Sequence, residues 1–178
     1  MTKLEELVQG HNCAEYENHV AFWGSYFSNY HNCIFTYKEI QWKSSEQAYM
    51  AEKAIYFGDY SAFIEILNAP TPAEAKKIGR RVKNFDQEKW NKVSYDIMYN
   101  IVYAKFSRVK ECKDALLLDE IRDKHFVEGS PVDAIWGVKI IWNDPRIDDE
   151  ANWQGENRLG RILDAVRTAL IEETKKEC

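Results

Sequence analysis

The stretch from Asp86 to Ser107 constrains this chain more than any other. Trp90, Val93, Ile97, Ile101 and Ala104 recur at helical spacing and form one apolar stripe, and Met98, Val102 and Phe106 form a second beside it. A helix apolar over so broad an arc implies a central helix packed on several sides. Capping signals supply further helices. Ser44 with Gln47 fits a capping box and opens a helix there. Gly58-Asp59 closes it and begins another, from about Asp59 to Asn68. Thr71 and Pro72 sit at the cap and first position of a third, which the pattern carries to about Val82. Ala115-Leu116-Leu117-Leu118 belongs to one more, and the last helix carries Leu159, Ile162, Leu163, Val166 and Leu170 on one face.

The β signals are short. Residues 1–20 read as a short helix with a polar lead-in, and Phe22–Trp42, aromatic and β-branched, reads as short strands or a hairpin. His125–Glu128 and Val138–Trp142 read as strands flanking an acidic loop, and Asn143-Asp144-Pro145-Arg146 as a turn or flexible loop. The 178 residues, 45% of them apolar, suit one compact domain with a real core. No repeat, low-complexity segment or linker divides it. The expected fold is mainly α with a small β element, residues 1–21 forming an N-terminal extension to a core of about 22–172.

Charge is ordinary: 24 basic and 29 acidic residues give −5, which disfavours non-specific binding to nucleic acid. Cys13, Cys33, Cys112 and Cys178 form no C-x-x-C pair, and the charged start Met1–Val8 lacks the apolar core of a signal peptide. Free thiols in a reducing, cytoplasmic setting are expected. No apolar run approaches a membrane span. His11, His19, His31 and His125 have no metal-ligand spacing, so neither a metal nor another cofactor is expected. Six Trp and ten Tyr make either an aromatic core or a pocket that stacks planar ligands.

Glu46 is the residue that most needs an explanation. The helical repeat puts it on one stripe with Tyr49, Met50, Lys53 and Phe57, so an acid and a lysine sit among residues that should face the core. A carboxylate near apolar surface costs free energy unless it is paired or used. The second acidic element is Ser130-Pro131-Val132-Asp133-Ala134-Ile135-Trp136-Gly137. Two carboxylates and an indole brought together can cleave a bond to a flat ring. The plainer reading of Glu46 is a first-turn acid favoured by the helix dipole. That of Lys53 is a stem lying on core surface.

Several motifs in order resemble the YbiA-like, or NADAR, domain family. They are Phe27-Ser28-Asn29-Tyr30, Trp42–Glu46, Ala51-Glu52-Lys53-Ala54, Ala69–Lys76 with Gly79-Arg80, and Trp90, Met98 and Ala104-Lys105-Phe106. Ser130-Pro131, Asp133, Trp136-Gly137, and Gly155, Asn157, Leu159 and Gly160 complete the series, over about residues 22–170. The resemblance implies a mainly helical fold and an N-glycosidase that cleaves a ribose–nitrogen bond. One branch of the family acts on phosphoribosyl-amino intermediates of riboflavin biosynthesis, and another removes ADP-ribose, including from guanine in DNA. The implied partner is thus a small phosphoribosyl or ADP-ribosyl substrate, or ADP-ribosylated nucleic acid. A non-catalytic module binding NAD-derived ligands is the reading from another class.

Cleaving such a bond builds positive charge on ribose C1, which an ionised carboxylate favours, and a second acid positions water or manages a proton. Glu46 is expected nearest the reacting carbon and Asp133 assisting. Lys53 is expected to form an ion pair, bind a phosphate or sugar hydroxyl, or attack the opened sugar as an amine. Trp136 is expected to stack on the base, with loop anchoring as its structural alternative. Trp90 reads as either core or pocket, and Asn29 as either a ribose contact or a turn residue. Gly155, Asn157 and Arg158 suit a phosphate at the start of the last helix, though small residues also serve helix packing, and that reading comes first. Arg80-Arg81 reads as a solvated basic face. The family usually has His where this chain has Gln47, and often Gln where it has Met50; both bear on contacts to sugar or base.

Overall fold

A computed structural model describes residues 2–177. In chain order the elements are α1 (Lys3–Leu7), β1 (Cys13–Glu15), β2 (His19–Phe22), β3 (Phe35–Tyr37), β4 (Ile40–Trp42), α2 (Ser45–Tyr56), α3 (Tyr60–Leu67), α4 (Pro72–Gly79), α5 (Gln87–Arg108), α6 (Lys110–Leu116), β5 (His125–Glu128) and α7 (Arg158–Glu177). Three short 3-10 turns, Asp119–Ile121, Pro145–Asp148 and Glu150–Asn152, complete the series. The fold is mainly α with a small β element. The chain forms two compact units, Asn29–Val109 and Met1–Ser28 with Lys110–Cys178.

In the unit Asn29–Val109, local chemistry sets the helix starts. Ser44, Asp59, Thr71 and Asp86 each accept a backbone N–H two or three residues into their helix, the bond that satisfies an otherwise orphaned donor. The β3–β4 hairpin turns through Lys38 and Glu39, both at positive φ (50° and 62°), which matches the twist of a two-residue hairpin turn. The hub of this unit is α2, which packs on α3, α4, α5 and β4. Its residues Ser45–Glu52 and Ala54 are all buried. Ala48, Ala51 and Ala54 let neighbouring backbones close on it from several sides. On α5 the buried positions are Trp90, Ser94, Met98, Ile101, Val102, Ala104, Lys105 and Phe106. The stripe through Met98, Val102 and Phe106 is therefore fully buried. Val93 and Ile97 of the other stripe are only half-buried. The third helix stops at Gly79, short of Val82.

In the other unit β2 is the central strand of a three-stranded sheet, antiparallel to β1 and parallel to β5. The lead-in before Phe22 thus contains two strands, and all four residues of β2 are buried. Helix α7 packs on β5, burying Leu159, Ile162, Leu163, Val166 and Leu170, each contributing about 1.5–3 kcal/mol relative to exposure. The core of the sheet's other side gathers Ala21, Val127, Val138, Ile140 and Ile147, with Tyr16, Trp142 and Trp153 against it.

Val138–Trp142 is not a strand. Val138 N donates to Glu128 O and Trp142 N to Gly129 O, but Lys139 between them sits at φ 59° and breaks the extended run. Val138 and Ile140 are buried there, and burial is something a loop supplies equally well. Cys13, Cys33 and Cys112 are thiols not joined in a disulfide among the described residues; Cys178 lies outside the described residues. Among the described residues no helix is long and apolar enough to cross a membrane.

Candidate functional site

Ser44 leaves β4 extended (φ −162°, ψ 158°), and its Oγ accepts Gln47 N at 3.1 Å, which places Glu46 in the first turn of α2. The Glu46 amide donates to Asn29 O at 3.0 Å and ties the helix start to the segment before the hairpin. Glu46 is 4% exposed. Its Oε1 lies 3.9 Å from Lys76 Nζ, which arrives from α4. Lys76 also hydrogen-bonds the Tyr30 hydroxyl, with Nζ 5.5 Å from the centre of that ring. Burial and the Glu46 charge push the Tyr30 hydroxyl above its ordinary range, against the opposing charges of Lys76 and Arg80.

Lys53 lies two turns beyond Glu46 on the same face, half-buried, with Nζ 4.1 Å from the centre of the Phe85 ring. Burial holds its amine below the usual lysine range, and the Glu46 charge opposes that shift. The expectation that an acid and a lysine share a largely buried face of α2 therefore matches the geometry. Trp90 is 5% exposed and packs on Tyr49, Tyr56 and Phe57, with ring centres 5.2, 5.9 and 6.1 Å away. Asn29 is buried, and its side-chain amide makes no hydrogen bond among the described residues.

Both departures from the usual family residues fall on packing positions. Gln47 accepts Lys43 N at 2.9 Å and donates to Ile66 O and Leu67 O at 3.0 and 3.3 Å, so its amide closes the end of α3. Met50 fills the space beside Gly79. The sequence reading missed Tyr30 and Lys76 as neighbours of Glu46, although both lie in stretches that match the family order. It also missed a second buried acid, Glu52, whose Oε1 is 2.8 Å from Lys38 Nζ.

In the other unit, Asp133 shapes its own loop. Ser130 Oγ accepts Asp133 N at 3.2 Å, and Asp133 Oδ1 accepts Ile135 N and Trp136 N, both at 2.8 Å. Its Oδ2 takes no hydrogen bond among the described residues, and the side chain is half-buried, as is Trp136. The loop carbonyls of Ala134, Ile135, Trp136 and Gly137 accept the amides of Glu156, Arg158, Leu159 and Asn157. The amides that open α7 are thus engaged by the loop.

Gly155 and Gly160 are close-approach positions: a Cβ would lie 2.2 Å from Gly137 O and 2.1 Å from Phe126 O respectively. Asn157, 2% exposed, accepts Glu128 N at 3.0 Å and donates to Phe126 O at 2.9 Å. Arg158 Nε donates to Glu156 Oε2 at 2.6 Å. This geometry is that of packing, the reading given first for the glycines.

A family model for the NADAR domain matches residues 15–171. The chain belongs to the NADAR domain family. Protein irg-1 of Caenorhabditis elegans is 36% identical over 135 residues, 75% of this chain and 63% of irg-1. An N-glycosidase of Acanthamoeba polyphaga mimivirus is 36% identical over 127 residues, 71% of this chain and 74% of that protein. A riboflavin biosynthesis protein of Vibrio vulnificus is 30% identical over 156 residues, 88% of this chain but 37% of that protein. The NMR structure of Escherichia coli YbiA superposes with a TM-score of 0.72 at 25% identity, covering 94% of this chain and 93% of YbiA. Every candidate site residue of this NADAR domain falls inside the matched span, which begins within β1 and so takes in the central strand β2.

Proposed function

We propose that this NADAR domain is an N-glycosidase that hydrolyses the ribose–nitrogen bond of a phosphoribosylated heterocycle, of the kind met in riboflavin synthesis. The observation that carries the reading is the Glu46 carboxylate, buried in the first turn of α2, 3.9 Å from Lys76 and on the face of Lys53. The names of the mimivirus and Vibrio relatives support the class of reaction and of substrate.

As the C1–N bond lengthens, positive charge grows on the sugar and negative charge on the leaving nitrogen. Glu46, ionised and shielded from water, stabilises that oxocarbenium-like state, and the low local dielectric strengthens the effect. Asp133 is assigned the second acidic role, positioning water or handling a proton, through the oxygen its loop leaves unbonded. Lys53 binds a sugar hydroxyl or phosphate, or acts as an amine; burial makes its neutral form more accessible than that of an exposed lysine. Asn29 offers its amide to the ribose, Trp136 its ring to the base, and Trp90 backs the aromatic wall. Gly155, Asn157 and Arg158 contribute by holding the loop that carries Asp133 and Trp136. The chemistry requires no metal.

The test is a substrate panel read by mass spectrometry of the free base, in the presence of EDTA, with wild type beside Glu46→Gln. The panel holds phosphoribosylated heterocyclic amines and ADP-ribosylated guanine, as nucleoside and within single-stranded DNA. Wild type is expected to release base from the first group. Glu46→Gln is expected to bind while turning over at least about a hundredfold more slowly. Full activity in Glu46→Gln removes the assigned role. Release only from ADP-ribosylated guanine reassigns the substrate, and binding without release from any member leaves a ligand-binding module.

A further inference from the structure

We propose that Lys76 and Arg80, one turn apart on α4, form the subsite that holds the substrate's phosphate; this rests on the N-glycosidase reading of Glu46 above. Lys76 fixes one end. Its Nζ is 3.9 Å from Glu46 Oε1 and hydrogen-bonded to the Tyr30 hydroxyl. Arg80 follows four residues later, a spacing that puts two side chains on the same helix face about 5–6 Å apart. Its charge acts on the same Tyr30 hydroxyl that Lys76 bonds, in keeping with that shared register on α4.

The neighbouring arginine behaves differently. Arg81 faces Glu65, with Nη2 3.8 Å from Oε2. The guanidinium of Arg80 makes no hydrogen bond or ion pair among the described residues, and the residue is exposed. It keeps a planar fork of donors suited to a phosphate's oxygens. The Arg158 side chain, by contrast, is taken up by Glu156.

The spacing suits the chemistry. If Glu46 faces the sugar carbon that loses its base, a phosphate on the 5-hydroxyl lies across the furanose ring, a distance comparable to one step along α4. Lys76 then meets the phosphate from the side of the sugar and Arg80 from the far side. The platform is rigid, because Gly79, the residue before Arg80, is the close-approach point of α4 on Met50 of α2.

There is a plainer account. Arg80 is the C-cap residue of α4, where a cation is favoured by the helix dipole. That account predicts a loss of stability in Arg80→Ala and no change in substrate preference. The two are separated by the ratio of kcat/KM for a phosphoribosylated substrate to that for its dephosphorylated riboside. Arg80→Ala is expected to lower this ratio about ten- to a hundredfold, Arg80→Lys to restore part of it, and Arg81→Ala to leave it at the wild-type value. An unchanged ratio in Arg80→Ala overturns the subsite.

Titration with ribose 5-phosphate by calorimetry reads the subsite independently of cleavage. Weaker binding to Arg80→Ala than to wild type upholds it. Equal binding, or none to wild type, overturns it. Failure of the glycosidase reading itself shows separately, as absence of base release by wild type from every substrate.

Discussion

Met50 occupies the place where a side chain on Gly79 would begin. A Cβ on Gly79 would lie 2.1 Å from Met50 Sδ and 2.9 Å from its Cγ. The two residues meet where α4 packs on α2, the same pair of helices across which Lys76 reaches Glu46. Met50 is also a position where the family often carries Gln. The substitution therefore bears on how two helices meet.

Gly79→Ala is expected to cost about 1–3 kcal/mol, because the added methyl takes the place of the Met50 side chain, which must repack. Urea unfolding measures it. In the double variant with Met50→Ala the combined loss should fall short of the sum of the single losses, since each change relieves the other. Gly79→Ala as stable as wild type would show that the Met50 side chain moves aside at no cost.

How much of this was legible in the chain depends on how local each signal is. Ser44, Asp59, Thr71 and Asp86 announce helix starts because a cap is a contact within three residues. Glu46 stands out because the helical repeat alone puts a charge among apolar neighbours. By contrast, β2 carries no alternation: it is buried along its whole length and is stabilised by β5, more than a hundred residues away. The run Val138–Trp142 carries strand composition, yet only its end residues bond to the backbone of Glu128 and Gly129. Lys76 looks like any surface lysine until α4 meets Tyr30. Gln47 looks like a change in a polar ligand contact until its amide is seen on the carbonyls of Ile66 and Leu67. Those facts belong to tertiary packing, which no short window contains.

Asn157 supplies a second test. It sits at φ 50° while its side chain bonds two groups on the edge of β5 that faces away from β2, Glu128 N and Phe126 O. An alanine there loses both bonds and must also bear the left-handed backbone, whereas glycine loses the bonds but accepts the backbone. Asn157→Ala is expected to destabilise by about 3 kcal/mol, with Asn157→Gly milder by about 1 kcal/mol. Thermal and urea unfolding of the two variants give the order. Glycine proving the worse of the two would mean that the backbone conformation is not what asparagine provides.

The acid limb of the stability curve is expected to depend on Asp148. Its carboxylate accepts Asn18 N and His19 N, each at 3.0 Å, with Asn18 Nδ2 at 3.1 Å and His19 Nδ1 at the same distance, and so joins a 3-10 turn to the start of β2. Burial alone would raise its pKa; the hydrogen bonds from Asn18 and His19 outweigh that and hold it below the ordinary 3.8. The folded chain therefore binds this proton more weakly than the unfolded chain does. Between the two pKa values the unfolded state carries more protons, so stability rises with pH there. The contribution is full well above pH 3.8, declines as the pH falls below it, and is gone once the pH drops under the folded value. Asp148→Asn is expected to cost about 1–2 kcal/mol at pH 7, since hydrogen bonds to a charged acceptor become bonds to a neutral one. The gap should narrow as both proteins are taken below pH 3.8, as the wild-type carboxyl takes up its proton. Urea unfolding at pH 7, 5, 4, 3 and 2 follows this directly, and a gap that stays constant across the series would show that the Asp148 charge plays no part in holding β2.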